Sequence, residues 1–337
     1  MPDPHGRVDL RSDTVTRPTP EMRRAMADAE VGDDGFDDDP TVHRLQDAFA
    51  ELVGKDAALF VPSGTMANQI ALRVLGRLGT VVFAGRRQHL VVREQSAAGV
   101  NAGAQVVTLD DADGTLDPEP IARWVSDAKV GWATPSAIFV EDTHGEAGGL
   151  VWPLERLEAI GRLGLPVHLD GARLWNAAVA SGTSMAERAA SATTVTCCVS
   201  KGLGAPIGSL LAGPTDLVAQ ARVERKRLGG MMRQVGILAA AGLVALERVD
   251  RLAEDHARAQ RLAVAAAARW PQAVDPRDVH TNIVRISHPD PPALLRHLAA
   301  AGVLAVPGGA TQVRLVTHAD VDDDDVDRAI AALGSAP

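Results

Sequence analysis

A single lysine lies between an apolar run and a glycine-rich turn in the segment Cys197-Cys198-Val199-Ser200-Lys201-Gly202-Leu203-Gly204-Ala205-Pro206-Ile207-Gly208-Ser209-Leu210-Leu211. The β-branched and small residues of 194–199 predict a buried strand, and residues 207–212 predict the next strand after the loop. We therefore expect Lys201 at a strand end inside the fold. Burial disfavours a charged ammonium and favours a nucleophilic amine, although a lysine whose stem packs while its head reaches solvent fits the pattern equally well.

A second short strand is predicted in Leu165-Pro166-Val167-His168-Leu169-Asp170-Gly171-Ala172-Arg173-Leu174-Trp175-Asn176, where it ends at an acid. An acid at the carboxyl end of such a strand faces the crevice in which open α/β sheets bind ligands. Together with Lys201, Asp170 suits pyridoxal 5'-phosphate, because the aldehyde of this cofactor attaches to a lysine and its ring nitrogen needs a carboxylate to stay protonated. The alternative for Asp170 is an ordinary strand-end or turn residue.

These two segments and three others carry a resemblance to a known family. The chain resembles the low-specificity L-threonine aldolases, which are fold-type I pyridoxal-phosphate enzymes of the beta-eliminating lyase and threonine aldolase group. The motifs stand in the family's order and cover nearly the whole chain. They are Asp9-Leu10-Arg11-Ser12-Asp13-Thr14-Val15-Thr16-Arg17-Pro18-Thr19-Pro20, Pro62-Ser63-Gly64-Thr65-Met66-Ala67-Asn68, His168-Leu169-Asp170-Gly171-Ala172-Arg173, Ser200-Lys201-Gly202-Leu203-Gly204-Ala205-Pro206 and Val313-Arg314-Leu315-Val316-Thr317-His318.

The resemblance implies a pyridoxal-phosphate-dependent carbon–carbon lyase. Such an enzyme cleaves L-threonine, L-allo-threonine or related β-hydroxy-α-amino acids to glycine and an aldehyde. A β-eliminating lyase, a racemase or another chemistry at Cα of a different amino acid stays open, because the same lysine, acid and arginines could support it. A non-enzymatic binding protein on the same scaffold is a third reading, against which the intact Lys201 argues.

The resemblance also implies roles for individual residues. Lys201, His89 and Asp170 would be catalytic, and His89 would stack on the cofactor ring near the β-hydroxyl of the substrate. Ser12, Arg173 and Arg314 would bind the substrate carboxylate. No set of residues has a spacing that predicts a metal site. The residues expected to bind the cofactor are Ser63, Gly64, Thr65, His89, Asp170, Arg173, Ser200, Lys201, Lys226 and Arg233. Of these, Lys226 and Arg233 would reach a cofactor or substrate site, including the phosphate of the neighbouring subunit's cofactor.

The chain departs from the family's pattern at several positions near the substrate side chain. The family's acidic loop usually carries a tyrosine and then a glycine, where this chain has Phe36 and Asp37. Arg93 stands where an aromatic residue usually precedes the glutamate, and Asp142 stands where the family has asparagine. Residues 129–132 hold no second histidine. The cofactor is therefore better indicated than the substrate.

Composition limits the class of protein. The 337 residues are enough for a large and a small domain, and the formal net charge of −9 does not indicate a nucleic-acid partner. Cys197 and Cys198 are adjacent in a strand pattern and so cannot form a disulfide framework. The polar amino terminus does not predict a signal peptide, and the longest apolar segment, 235–246, is too short to span a bilayer. We expect a cytoplasmic protein that forms a homodimer or a dimer of dimers, the latter being a homotetramer, and that has no membrane partner.

Alternating strands and helices predict an α/β fold with a mostly parallel central sheet in a large domain and a smaller C-terminal α/β domain. The expected divisions are an N-terminal arm at 1–35, a cofactor-binding domain at 36–245 and a small domain at 246–337. Three local expectations concern boundaries: a helix at 41–53 capped by Thr41, a helix at 94–103 after a loop that holds His89, and a strand at 304–306.

Overall fold

The computed structural model describes residues 6–336. The first five residues of the predicted arm and Pro337 lie outside the described residues. The strands, in chain order, are β1 (Val8–Asp9), β2 (Ala57–Val61), β3 (Val81–Gly85), β4 (Gln105–Leu109), β5 (Pro135–Glu141), β6 (Val167–Asp170), β7 (Thr194–Cys198), β8 (Ser209–Gly213), β9 (Ile283–Ser287), β10 (Val303–Leu304), β11 (Val306–Gly309) and β12 (Gln312–Val316).

Helices connect and cover these strands, as the alternating pattern predicts. They are α1 (Pro20–Ala27), α2 (Pro40–Val53), α3 (Gly64–Leu75), α4 (His89–Val92), α5 (Pro118–Asp127), α6 (Leu154–Gly161), α7 (Leu174–Ser181), α8 (Met185–Ala189), α9 (Thr215–Arg227), α10 (Gly236–Leu246), α11 (Leu252–Arg269), α12 (Pro291–Ala300) and α13 (Asp323–Gly334). Among the described residues, no helix combines the length and the apolar character that a bilayer crossing requires.

The central sheet has seven strands in the order β2-β8-β7-β6-β5-β3-β4. Strands β7, β6, β5, β3 and β4 are parallel neighbours, whereas β8 runs antiparallel to β2 and β7. Glu141 pairs with Asp170, and Asp170 pairs with Thr196 on the next strand. The carboxyl ends of three neighbouring parallel strands therefore place these residues side by side at one edge of the sheet.

A smaller unit follows the central sheet along the chain. Its antiparallel sheet has the order β11-β12-β9; α11 and α12 pack against this sheet, and α13 packs against α11, α12, β1 and β10. The first described strand packs against this unit: β1 pairs in parallel with β10, and Val8 and Leu10 are buried in the same apolar cluster. The threefold division of the chain stays a prediction.

Two local predictions, the cap of α2 and the strand at 304–306, are wrong. Asp39, not Thr41, caps α2: its Oδ1 accepts hydrogen bonds of 3.1 Å from the amides of Thr41 and Val42. The predicted strand at 304–306 is two short strands, β10 and β11, which belong to different sheets.

The predicted helix at 94–103 is also wrong. Gln95 and Ser96 have φ angles of 54° and 60°, in the left-handed region that interrupts a right-handed helix. Only Ala98–Ala102 forms one wide helical turn, which ends at Gly103 in the left-handed conformation. His89, expected in a loop, is instead the first residue of α4. This irregular segment brings Glu94 back beside His89.

Candidate active site

A cavity of about 410 Å³ opens at the carboxyl ends of β5, β6 and β7, where an open α/β sheet binds its ligands. Most residues singled out from the sequence line it. Those residues are Ser12, Ser63, Gly64, Thr65, His89, Asp170, Arg173, Ser200, Lys201 and Arg314.

The start of α3 forms one wall of the cavity. Ser63 caps this helix, and its hydroxyl accepts a hydrogen bond of 3.2 Å from the amide of Met66. The amides of the first helical turn have no partner within the helix and attract anions, as does the helix dipole. Gly64 packs tightly here, since a Cβ atom at this position would lie 2.9 Å from Sγ of Cys198.

Asp170 is buried at the floor of the cavity and is held by two donors. Its Oδ2 accepts a hydrogen bond of 2.7 Å from Nδ2 of Asn68, and its Oδ1 accepts one of 3.1 Å from the amide of Ala172. Burial alone would raise the pKa of this carboxyl, but the charges of His89 and Lys201 and the Asn68 hydrogen bond lower it. Asp170 is thus ionised at neutral pH.

His89 is oriented by a buried carboxylate. Its Nδ1 lies 2.9 Å from Oε1 of Glu94, so the neutral ring donates from Nδ1 and leaves Nε2 as its basic nitrogen. Burial alone would lower the pKa of His89, but the Glu94 hydrogen bond and the charges of Asp170 and Glu94 raise it. The backbone amide of His89 also donates to Oε2 of Glu141 at 2.6 Å. The imidazole is therefore fixed in place and in tautomer.

Asn68 ties Asp170 to Glu94. Its Nδ2 donates to Oε1 of Glu94 at 2.8 Å as well as to Asp170, and its Oδ1 lies 3.0 Å from Nε2 of His168. Burial lowers the pKa of His168 to about 4, so this ring is neutral and donates to Asn68. One amide therefore separates two carboxylates that would otherwise repel each other.

Lys201 follows β7 by three residues and is half-buried in the cavity wall. Thr16 donates a hydrogen bond of 2.8 Å to the backbone carbonyl of Lys201, which anchors this loop to the amino-terminal segment. Within residues 6–336, the amine of Lys201 has no ion-pair or hydrogen-bond partner, so it is available to a ligand. Ser200, beside it, donates to the carbonyl of Gly208 at 3.2 Å.

Arg173 lines the cavity, and two of its five N–H donors are already used. Its Nε and Nη2 each donate a hydrogen bond of 2.7 Å to the buried carboxylate of Asp13. Burial would raise the pKa of Asp13, but the charge and hydrogen bonds of Arg173 hold it far below the usual range. Ser12, the neighbour of Asp13, caps a short turn and accepts from Thr14.

Arg314 has unused donors. Its Nε is buried without a hydrogen-bond partner, and its Nη2 donates only a long bond of 3.3 Å to the carbonyl of Arg11. Burial and the nearby charge of Arg173 lower the pKa of Arg314. A buried guanidinium donor left unpaired is costly, which favours an anionic ligand at this position.

Lys226 and Arg233 do not line the cavity of a single chain. Both are exposed, and Arg233 forms an ion pair of 3.1 Å with Asp33. Their predicted contact with the cofactor therefore requires a second subunit and stays a prediction.

The model of the family described as beta-eliminating lyase matches residues 9–289. The low-specificity L-threonine aldolase 1 of Arabidopsis thaliana is 39% identical over 98% of this chain and 96% of its own length. The low specificity L-threonine aldolase of Escherichia coli K12 is 41% identical over 93% of this chain and 94% of its own length.

This chain belongs to the beta-eliminating lyase family. A solved Leishmania major threonine aldolase shares the fold, with a TM-score of 0.81 and 21% identity over 97% of this chain and 98% of that one. The fold class predicted from the sequence, with its mostly parallel central sheet, is confirmed. The predicted membership in the beta-eliminating lyase and threonine aldolase group is confirmed as well.

Several residues that shape the site of this family member carry no role in the sequence prediction. Asp13 and Asn68 lie inside quoted motifs, yet only the fold shows that they hold Arg173 and Asp170. Glu94 orients His89 from five residues away. Its spacing to His89 is the one signal from which the pair could have been inferred.

Glu141 also lines the cavity of this beta-eliminating lyase, and the buried His144 lies in the loop that follows it. Burial raises the pKa of Glu141, whose oxygens accept from the amides of His89 and Gly145. His144 is fully buried, with Nε2 at 2.9 Å from Oδ2 of Asp111 and Nδ1 accepting from the amide of Ala147. These contacts fix the loop that follows β5.

Proposed function

We propose that this protein is a pyridoxal-phosphate-dependent aldolase that cleaves L-threonine, L-allo-threonine and related β-hydroxy-α-amino acids to glycine and an aldehyde. The observation that carries the proposal is that Lys201, Asp170 and the Glu94-oriented His89 line one cavity. The curated relatives named as low-specificity L-threonine aldolases support it.

The residues of the cavity fit pyridoxal 5'-phosphate. Lys201 would hold its aldehyde, Asp170 its ring nitrogen and the turn at 63–65 its phosphate. Thr143 adds a buried hydroxyl that lines the cavity and has no hydrogen-bond partner within residues 6–336. When bound, this cofactor supplies an electron sink for the pair released as the Cα–Cβ bond breaks.

Arg314 is the main candidate for binding the substrate carboxylate. Its unpaired Nε would donate to one carboxylate oxygen, and Ser12 lines the same cavity. Because Asp13 takes two of the five N–H donors of Arg173, three donors on Nη1 and Nη2 remain for a ligand, but the ion pair also makes this arginine part of the support of the site. A fixed carboxylate selects which bond at Cα is aligned to break.

His89 is the candidate base for the β-hydroxyl. With Nδ1–H donating to Glu94, its Nε2 can accept the hydroxyl proton, either directly or through one water. Asp170 and Glu94 stabilise the resulting imidazolium, since both charges raise the pKa of His89. Removal of this proton lets the Cβ–O bond become the carbonyl of the leaving aldehyde.

We also propose that the working enzyme is a homodimer or a dimer of dimers in which Lys226 and Arg233 reach the neighbouring subunit's cofactor. The division into an arm, a cofactor domain and a small domain, and the cytoplasmic location, stay predictions.

The test has two stages. Purified enzyme should be yellow and should bleach when borohydride reduces the lysine-bound cofactor; Lys201→Ala should remove both properties. Incubation with L-threonine should then release glycine and acetaldehyde. Ammonia and a keto acid would instead indicate β-elimination, and unchanged colour and activity in Lys201→Ala would refute the proposed role of the lysine.

A further inference from the structure

A further arginine, Arg93, faces the cavity beside His89, the proposed base. Arg93 lies one helical turn after His89, with its amide bonded to the His89 carbonyl at 2.9 Å, and both residues line the cavity. About half of the Arg93 side chain, 53%, is exposed. Because His89 would hold the β-hydroxyl, Arg93 stands near the path of the substituent beyond Cβ.

Arg93 and Arg285 share the single negative charge of Glu146. Glu146 faces two guanidiniums: Arg93 donates to it from Nε at 2.8 Å and also from Nη2, while Nη1 of Arg285 lies 3.7 Å away. Asp13 balances Arg173, and Arg314 has no ion pair within residues 6–336. Arg314 would meet the α-carboxylate of an amino acid. The second positive charge, which remains where Arg93 and Arg285 share Glu146, has no assigned anion.

The cofactor phosphate does not supply that anion in the proposed arrangement. It would lie at the first turn of α3, whereas Arg93 follows α4 and Glu146 lies in the loop after β5. Burial and the nearby charges of Arg87 and Arg93 lower the pKa of Arg285, while Glu146 opposes this shift.

We infer that Arg93 makes this site selective for β-hydroxy-α-amino acids that carry a second anionic group at the end of the side chain. The inference rests on the proposed aldol cleavage and names its substrate class. The simplest such compound is 3-hydroxyaspartate. Its cleavage breaks the Cα–Cβ bond, turns Cβ into the carbonyl of an aldehyde acid as the hydroxyl loses its proton, and leaves Cα to take up a proton and form glycine.

Glu146 would act as a competitor for the same guanidinium. In the absence of an anionic substrate it neutralises Arg93, and a substrate carboxylate would share or replace it. Replacing Arg93 should therefore lower the preference for anionic substrates, and replacing Glu146 should raise it. If the ion pair were purely structural, both replacements would change this preference in the same direction.

The kinetic test compares kcat/KM for L-threo-3-hydroxyaspartate with kcat/KM for L-threonine. We expect this ratio to be at least one in the unmodified enzyme and to fall by about fivefold or more in Arg93→Gln, a modest factor because Arg93 is half-exposed. We expect it to rise in Glu146→Gln. A smaller fall in the first variant, or a fall in the second, would overturn the inference.

Arg86→Gln is the matched control, since Arg86 is an exposed arginine paired with Asp110 outside the cavity. Its ratio should stay at the unmodified value. A change in Arg86→Gln as large as that in Arg93→Gln would mean that general surface charge sets the preference, and would also overturn the inference.

A binding measurement separates this inference from the proposed reaction. Calorimetric titration of the holoenzyme with L-aspartate and L-alanine needs no cleavage. We expect aspartate to bind tighter, and Arg93→Gln to remove most of the difference; equal affinities in the unmodified enzyme would overturn the inference. If no β-hydroxy amino acid is cleaved, the proposed reaction fails, while the aspartate-to-alanine ratio still decides the role of Arg93.

Discussion

Asp13 and Arg173 are 160 positions apart in the sequence, yet they form two parallel hydrogen bonds of 2.7 Å beside the cavity. The carboxylate is fully buried and the guanidinium nearly so. This pair joins the amino-terminal segment to the strand end that holds Asp170. An arginine expected to bind the substrate is therefore first a part of the scaffold.

Replacement of Asp13 by asparagine should destabilise the protein. It leaves a buried guanidinium without its counter-charge, which costs about 3 kcal/mol in the free energy of unfolding at pH 7. Urea denaturation followed by fluorescence would measure the change. A loss below about 1 kcal/mol would show that Arg173 finds another partner or water.

The same pair predicts a pH dependence of stability. Since the folded-state pKa of Asp13 lies below the unfolded value, its stabilisation is present above about pH 4 and is lost as the pH falls. The free energy of unfolding should therefore fall from about pH 5 to about pH 3 more steeply in the unmodified protein than in Asp13→Asn. Parallel curves for the two proteins would contradict this account.

Glu94→Gln should move the pH profile of the reaction. The base must be neutral to accept a proton, so kcat/KM should rise as the pH passes through the pKa of His89, which Glu94 raises. Without this carboxylate the acidic limb of the profile should shift to lower pH, in addition to any loss of rate. Glu155→Gln, an exposed replacement on α6, should leave the limb in place. A loss of rate without a shift would mean that Glu94 is only structural.

The sequence predicts those parts of the site that depend on local pattern. The positions of Asp170 and Lys201 in the site could be predicted because apolar runs mark the parallel strands that lead to them. The carboxyl ends of such strands meet at one edge of the sheet. Ser63 could be placed because a hydroxyl before a helix is a cap. The contacts between distant segments could not be predicted, since no local rule pairs Asp13 with Arg173.

Local patterns also failed where the backbone is irregular. The alanine-rich run after Glu94 is typical of a helix, but the left-handed Gln95 and Ser96 break it and turn Glu94 toward His89. Helices α7 and α8 were not predicted because they are short and because α7 is largely apolar, which leaves no clear polar face to reveal helical periodicity.

Gly64→Ala should weaken cofactor binding. A Cβ atom 2.9 Å from Sγ of Cys198 would displace the first turn of α3, where the phosphate is proposed to bind. We expect a loss of about tenfold in affinity for pyridoxal phosphate, measured by absorbance titration of the cofactor-free protein. Adding Cys198→Ala should restore most of it by making room. An unaffected affinity in Gly64→Ala would place the phosphate elsewhere.

Lys226 provides a test of the proposed shared site, because it is exposed and lies outside the cavity of its own chain. Reversal of its charge in Lys226→Glu should strongly weaken binding of the cofactor phosphate in the neighbouring subunit. Hybrid dimers of a Lys201→Ala chain and a Lys226→Glu chain, purified through two different tags, would then contain one site with both defects and one intact site.

We expect such hybrids to recover about half of the unmodified activity, although each variant alone is inactive, because the intact site takes Lys201 from one chain and Lys226 from the other. Hybrids of unmodified and Lys201→Ala chains give the reference value for one working site per dimer. If Lys226 served only its own chain, each hybrid site would carry one defect and no activity would return. If Lys226→Glu alone were fully active, Lys226 would have no role at the active site of either chain. The proposal that the exposed end of α9 contacts the neighbouring subunit's cofactor would then be wrong.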